Sequence, residues 1–253
     1  MSYKDIIREE GYTIIPKFFN DEEVFKLRTL NDNVGPEKGH HKELGWQKEA
    51  DSSRENYIHY WSHQCVKETV WVQEKLHPII SDIMLETYKW FAIDFHVTNP
   101  GSQYIHAHID YPYAFRPWHH MTELLAVQCL IAIDDFTIAN GGTAILPGSH
   151  MNSYPLDKMG SSELNDDLVS NGYRFVAPAG SILIYHPRLL HSTMPNNATK
   201  PRSALLMLAV RPDIIKGLSR FHNVNKEDFE DDTPLTNEMN YARLDKLMGY
   251  IRK

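Results

Sequence analysis

The apolar positions in the first third of the chain repeat at helical spacing. Asn20 and Glu23 form a capping-box pattern, which satisfies backbone N–H groups at a helix start. The apolar residues that follow predict a first helix: Val24, Leu27 and Leu30. A second helix is predicted by apolar residues at the same spacing: Val72, Leu76, Ile79, Ile80, Ile83 and Met84. Pro78 is expected either to kink this helix or to begin its second half. Residues 34–60 show no clear period and predict a long irregular connection.

At Trp90 the pattern changes to the alternation that is typical of strands. Apolar side chains now occupy every second position: Phe91, Ile93, Phe95 and Val97. A short strand or extended segment is also predicted at 11–16, and further strands, separated by Gly- and Pro-containing turns, at 103–110, 124–134, 142–146, 173–177, 181–186 and 203–211. Helices followed by a run of short strands predict an α+β fold with a β sandwich or barrel at its centre.

Two long insertions interrupt the strands, and a charged tail follows them. Residues 111–120 are rich in aromatic side chains, and residues 151–171 are polar. We expect both insertions to supply substrate walls and a lid, because long loops beside a site often do so. The alternative for the aromatic residues is a hydrophobic cluster that anchors the loop. Residues 213–253 are predicted to be a charged helical extension with an amphipathic end.

Length, charge and cysteine content narrow the class of protein. The 253 residues fit one domain, 1–253. The net charge of −7 gives no general attraction to nucleic acid or to an anionic membrane, and no apolar run approaches the length of a membrane span. Two cysteines are too few for a disulfide framework, and Cys129 lies in an apolar run, as a core residue would. We therefore expect a cytoplasmic protein with neither a nucleic-acid nor a membrane partner; the oligomeric state is not predicted.

The segment His106–Asp110, of sequence H-A-H-I-D, is the first candidate for chemistry. A histidine and an aspartate two residues apart on an extended segment point to the same side and can reach one metal ion. His191, after a strongly apolar run, would complete a face of two histidines and one carboxylate. That face leaves three positions of an octahedral ion open, as in non-haem Fe(II) oxygenases. The alternative is that the triplet is a surface or hydrogen-bonded structural feature, since the chain has 14 histidines.

Arg202 is the second candidate, because it stands at the start of an apolar strand. An arginine that enters a core strand is costly unless it has an anionic partner. One interpretation is an internal salt bridge to a carboxylate. The other is a bidentate clamp on a dicarboxylate ligand.

Together these blocks resemble the phytanoyl-CoA dioxygenase family of Fe(II)/2-oxoglutarate-dependent oxygenases. The resemblance rests on His108-Ile109-Asp110, on residues 140–150 of sequence NGGTAILPGSH, and on His191 with Thr193 and Arg202 behind it. It covers roughly residues 8–212. The order and spacing of the three blocks make it more specific than any one of them.

The resemblance implies a mainly β fold, a cupin-like double-stranded β-helix or jelly roll with flanking helices. It implies that His108, Asp110 and His191 are the metal ligands. It also implies that Arg202, with Thr193, binds the distal carboxylate of 2-oxoglutarate. Thr143 is a weaker candidate for binding this cosubstrate, and Gln103 and Gln128 are candidates without an assigned role. His106 is expected either to line the pocket or to be structural; His150 and His186 are expected to be structural.

The implied function is a dioxygenase that uses Fe(II), 2-oxoglutarate and O2 to hydroxylate or otherwise oxidise a C–H bond of a small organic molecule, with release of succinate and CO2. In halogenating relatives a small residue replaces the carboxylate, so Asp110 favours hydroxylation. The lack of an evident basic cluster disfavours a coenzyme A thioester substrate. The alternatives are a non-catalytic jelly-roll sensor or scaffold that binds a metal or small ligand, and a redox-inert metal enzyme such as a cupin-type isomerase, which would not need Arg202.

Overall fold

The computed structural model describes residues 2–34, 47–50, 57–61, 68–84, 88–103, 105–110, 112–113, 122–152, 159 and 161–214. In chain order its elements are α1 Tyr3–Glu10, β1 Tyr12–Ile15, α2 Asp21–Val34, β2 Gln47–Ala50, β3 Tyr57–Trp61, α3 Val70–Met84, β4 Lys89–Thr98, β5 Ala126–Ala132, β6 Ala144–Ile145, a 3-10 turn Ser149–Met151, α4 Ser162–Asn171, β7 Tyr173–Arg174, β8 Ile182–Tyr185, β9 His191–Ser192 and β10 Arg202–Val210. None of the helices described is long and apolar enough to cross a bilayer.

Two antiparallel sheets form the core of the described chain. The larger sheet has the order β1-β8-β5-β10-β4-β3-β2, and the smaller has the order β7-β6-β9. A single bridge between His108 and His191 extends the smaller sheet at its β9 edge. After β5 the chain passes between the sheets, with β6, β7 and β9 in the smaller sheet and β8 and β10 in the larger one, so that the sheets face each other as in a jelly roll. This arrangement confirms the predicted α+β, mainly β fold with a jelly-roll core.

Strand β10, in the middle of the large sheet, is buried on both faces, which explains why it is almost continuously apolar. Leu205, Met207 and Ala209 of β10 belong to the core formed with the helices on the outer face. The alternate residues Ala204 and Leu206 belong to the core between the two sheets. Burial on both faces favours an uninterrupted apolar strand over an alternating one. The larger side chains of the outer core are Ile7, Phe19, Leu27, Leu76, Ile80, Phe95 and Ile184.

Most of the predicted elements are confirmed, several of them with shorter bounds. Helices α2 and α3, and strands β1, β4, β5, β6, β7, β8 and β10, lie where the apolar pattern places them. Cys129 is a fully buried core residue, as predicted, and burial raises the pKa of its thiol. The predicted helical extension beyond residue 214 lies outside the described residues.

Three predictions about secondary structure were wrong. The stretch 34–60 contains β2 and most of β3, which pair with each other although no apolar alternation marks them. Residues 105–110 are extended but make only one bridge, at His108, because the amides of Ile105 and Asp110 donate to the isolated carbonyls of Thr193 and Pro187. The polar stretch 151–171 contains helix α4, with Ser161 as its N-cap.

Candidate active site

His108 and His191 are brought together by the edge of the small sheet. Their backbones exchange two hydrogen bonds, with N···O distances of 3.1 Å in both directions. Residues paired in this way lie directly opposite each other in an antiparallel ladder and point to the same side. The two imidazole rings therefore face each other, with centroids 4.4 Å apart.

Asp110 completes the group from two residues further along the extended segment. Its backbone amide donates to Pro187 O at 2.7 Å, in the turn that leads from β8 to β9. Its Oδ1 lies 3.6 Å from His108 Nε2, and its Oδ2 lies 3.3 Å from His191 Nε2. Ligand atoms of these three residues lie within 4.8 Å of one another. The structure thus brings together the three residues predicted as metal ligands, and their donor set is the one that non-haem iron enzymes use.

Both histidines present the same ring nitrogen to this centre. The Nδ1 atom of His108 is 2.7 Å from His106 O, and the Nδ1 atom of His191 is 2.8 Å from Leu189 O. A carbonyl oxygen only accepts hydrogen bonds, so each Nδ1 must carry the proton. In a neutral ring the lone pair then lies on Nε2, which makes Nε2 the metal donor. The backbone thereby orients both rings for metal binding.

The carboxylate of Asp110 is ionised at neutral pH. Burial raises its pKa, but the charge of His191 and the hydrogen bond to it outweigh this effect, and with His108 and Tyr185 they lower the pKa to about 2. Burial alone would lower the pKa of His191. The charge of Asp110 and the hydrogen bond to it have the larger effect, so the pKa of His191 lies above its ordinary value. The aspartate is thus already in the form that binds a cation.

Beside this centre lies a cavity of about 80 Å³ that also contains the buried arginine. Arg202, Thr143 and Thr193 line it together with the three candidate ligands. Arg202 is only 1% exposed, its Nη2 donates to Gly141 O at 2.9 Å, and its guanidinium lies 4.2 Å from the centre of the Phe136 ring. Apolar side chains line the cavity as well, namely Ile105, Leu130 and Leu206. The cavity therefore has a cationic part, an apolar part and a candidate metal site.

The glycine pair of the N-G-G motif allows the close packing that fixes Arg202. Gly141 has φ +80°, and a Cβ atom there would lie 2.2 Å from Met194 O. A Cβ on Gly142 would lie 2.7 Å from Phe175 O. Only glycine tolerates these approaches. Among the described residues, the buried Oγ1 of Thr143 makes no hydrogen bond, so this hydroxyl can bind a ligand in the cavity.

Asn165 is a residue of the site that sequence reasoning missed. It lies on α4, and its Oδ1 accepts from the amide of Ala107 at 2.7 Å while its Nδ2 donates to His106 Nδ1 at 3.3 Å. Leu164 and Leu168 of the same helix pack against the outer side of the small sheet. The prediction that this segment forms a lid is therefore wrong for residues 161–171, which support the ligand segment from behind. A polar helix gives no local signal for this role.

The other residues singled out in the sequence differ in how exposed they are. His106 is exposed, Gln103 is exposed, and Gln128 is buried with its Oε1 making no hydrogen bond within the described part of the chain. Tyr113 is buried, and its hydroxyl bonds the backbone of Glu123 and Leu125, so it anchors its loop. Tyr111 and residues 114–120 of the aromatic insertion lie outside the described residues.

His150 and His186, which were expected to be structural, are both buried. His150 Nε2 lies 3.0 Å from Arg8 O at the end of α1. His186 Nδ1 accepts from the amide of Arg188 at 3.1 Å, and its ring packs between those of Tyr113 and His150. Burial, with the nearby His150 and Arg188, lowers the pKa of His186 to about 3.

The depressed pKa of His186 predicts that the metal-free protein loses stability in mild acid. Between its unfolded pKa of about 6.5 and its folded pKa of about 3, the unfolded chain binds more protons, so stability falls as the pH falls. We expect this group to cost about 2 kcal/mol between pH 7 and pH 5. Urea unfolding in EDTA at both pH values measures it. His186→Gln should show a smaller loss, and an equal loss in both proteins would contradict the prediction.

Comparison with known proteins places this site in context. A family model described as phytanoyl-CoA dioxygenase (PhyH) matches residues 7–204. Among solved structures, the chain is similar to the non-haem α-ketoglutarate-dependent epimerase SnoN from nogalamycin biosynthesis, with 16% identity, 83% of this chain and 82% of that chain covered, and a TM-score of 0.65. It is also similar to the carbocyclase SnoK from the same biosynthesis, with 20% identity, 83% of each chain covered and a TM-score of 0.60.

A further similar structure is HygX from Streptomyces hygroscopicus with nickel, 2-oxoglutarate and hygromycin B bound, at 14% identity with 82% of this chain and 86% of that chain covered and a TM-score of 0.63. At these identities the structures show a shared fold. The family match spans most of the chain and includes the candidate ligands and Arg202. The chain belongs to the phytanoyl-CoA dioxygenase family of Fe(II)- and 2-oxoglutarate-dependent oxygenases.

Proposed function

We propose that this enzyme oxidises a C–H bond of a small organic molecule, with hydroxylation as the outcome and succinate and CO2 as coproducts. His108, Asp110 and His191 hold the iron, and Arg202 binds the cosubstrate. The observation that carries the proposal is the single cavity that contains both the three-ligand face and the buried guanidinium. When bound, iron would activate O2, which is the oxidant, and 2-oxoglutarate would supply two of the electrons that reduce it, so that one oxygen atom enters succinate and the other enters the substrate; no protein side chain supplies this chemistry.

Arg202 fits the carboxylate of 2-oxoglutarate that lies furthest from the metal. Its planar guanidinium can donate two parallel hydrogen bonds to a carboxylate, and the contacts to Gly141 and Phe136 hold it in place. The hydroxyls of Thr193 and Thr143 line the same cavity and would bind the carboxylate with it. Ile105, Leu130 and Leu206 offer apolar contacts to the two methylene groups of the cosubstrate.

The ligand face leaves open the metal positions that the cosubstrates of such a reaction need. Three protein ligands leave three positions on an octahedral ion, which suffice for a chelating keto acid and one further cosubstrate. The protein orients these groups and keeps water away, and its walls are largely buried residues such as Arg202, Thr143 and Tyr185. Asp110 occupies the carboxylate position that a halide would otherwise need, which supports hydroxylation over halogenation.

A small organic substrate is supported by the solved structures of similar fold. One is named for nogalamycin biosynthesis, and another was solved with hygromycin B bound. Both names refer to small molecules, and we propose a substrate of this class for the present enzyme. The net charge of −7 argues against a nucleic-acid substrate.

The proposal is tested by anaerobic titration of the Fe(II)-loaded protein with 2-oxoglutarate. We expect the weak visible charge-transfer band of a keto acid chelated to iron, and slow succinate formation after O2 is admitted. Succinate formation must depend on both iron and 2-oxoglutarate. If the protein binds the metal but gives no band and no succinate, the oxygenase assignment fails, and a non-catalytic metal-binding role becomes the better account.

A further inference from the structure

Tyr185 is a buried residue of the site for which neither the sequence nor the family match provides a role. It is the last residue of β8, in the large sheet, and is 1% exposed. Its neighbours in register are Tyr12 on β1 and Gln128 on β5. With a strand paired on each side, its side chain has little freedom to move. The residue therefore approaches Asp110 and His191 from a fixed position.

The hydroxyl of Tyr185 contacts two of the three candidate ligands. Its Oη donates to Asp110 Oδ2 at 3.2 Å and lies 3.4 Å from His191 Nε2. A phenol has one proton to donate, and an ionised carboxylate is the stronger acceptor. The hydrogen bond to Asp110 is thus the one that the hydroxyl makes when His191 is bound to a metal through Nε2.

This contact makes the two oxygens of Asp110 unequal. Oδ2 faces both Tyr185 and His191, whereas Oδ1 faces His108 Nε2 at 3.6 Å. A carboxylate oxygen that already accepts a hydrogen bond is a weaker and less accessible metal donor. Oδ1 is the oxygen that stays available for the ion.

We propose that Tyr185 is a positioning residue that holds Asp110 as a ligand through one oxygen only. The inference rests on the proposed function, because it assigns Asp110 to the metal. A carboxylate bound through both oxygens would take one of the three positions that the cosubstrates need. By holding Oδ2, Tyr185 orients the ligand and keeps that position open, as hydrogen-bonding partners of metal ligands commonly do.

The substitution Tyr185→Phe removes the hydroxyl and keeps the ring, which packs in the core between the sheets. Tyr12→Phe is the matched control, because Tyr12 is the directly paired residue on β1 and its ring stacks on that of Tyr173. Mn(II) is the probe, and the electron paramagnetic resonance signal of the free ion reports binding. All titrations are made well below the thermal midpoint of each metal-free protein, so that a change in stability does not affect the affinity.

We expect Tyr185→Phe to bind Mn(II) about 10-fold to 100-fold more weakly than the wild type, and Tyr12→Phe to bind it normally. At saturating Fe(II), the charge-transfer band with 2-oxoglutarate should be weaker or shifted in Tyr185→Phe only. Mn(II) affinity within twofold of the wild type, together with an unchanged band, would overturn the role of Tyr185. Failure of the wild type to bind Mn(II) would instead overturn the proposed metal site, so the two failures are distinguishable.

Discussion

Replacement of His191 by Ala is expected to abolish metal-dependent formation of succinate. In the proposed site the imidazole of His191 supplies one of three candidate ligand atoms, and the remaining two residues cannot fix an ion with the same geometry. Loss of a mere partner of a metal ligand costs about 10-fold to 100-fold in affinity or activity, so loss of the ligand itself should cost more than about 100-fold. Mn(II) titration and a succinate assay on the same preparation measure both effects.

The fold should survive this change, because His191 lies at the edge of a short strand. Its backbone bonds to His108 do not depend on the side chain. The variant does leave Asp110 without its closest imidazole partner, so we expect a loss of about 1–3 kcal/mol in the metal-free state. His77→Ala on the exposed side of α3 is the matched control and should retain turnover. Global unfolding of His191→Ala would show instead that His191 is a core residue.

Replacement of Arg202 is expected to weaken 2-oxoglutarate binding by about 100-fold, while metal binding stays intact. Hydrogen bonds to charged groups contribute about 1.5–3 kcal/mol each, and 1.4 kcal/mol corresponds to a factor of ten in affinity. Arg202→Met keeps most of the side-chain volume against Phe136 and removes the charge. Anaerobic titration with 2-oxoglutarate, followed by the charge-transfer band, gives the affinity directly.

Arg202→Lys separates charge from geometry. Lysine keeps the cation but cannot make two parallel hydrogen bonds to one carboxylate, so we expect an affinity between those of the wild type and Arg202→Met. Mn(II) affinity should be the same in all three proteins, since Arg202 is not among the candidate ligands. An unchanged affinity for 2-oxoglutarate in Arg202→Met would remove Arg202 from the cosubstrate site and leave the internal salt bridge as its role.

Much of the fold and of the candidate site could be predicted from the sequence, because their signals are local. The buried strands β5, β8 and β10 are apolar runs between turn residues, and α2 and α3 have the helical period. His108 and Asp110 are two residues apart on an extended segment, so their common direction follows from strand geometry alone. His191 and Arg202 were predicted to be site residues because each stands at the boundary of an apolar strand, where a polar side chain is costly unless it has a binding partner.

The wrong predictions occurred where no local pattern exists. Strands β2 and β3 lie at the far edge of the large sheet. They are strands because β3 pairs with β4, and no apolar alternation in their own sequence marks them. Residues 105–110 read as a strand, yet a single bridge is formed, because only one edge of a two-residue strand is available there. Helix α4 was missed because its apolar face consists mainly of Leu164 and Leu168.

By itself, the sequence determined the fold class, the set of candidate ligands and the cation that faces them. Only the tertiary structure showed that Tyr185 bonds Asp110, across 75 residues of chain, and that Asn165 supports the ligand segment, across 58 residues. It also showed that one cavity joins the metal face to Arg202. These contacts form where separate elements of the fold pack together. No periodic pattern or fixed spacing in the sequence predicts which residues will meet there. Side chains that act through such contacts become recognisable only when the chain is folded.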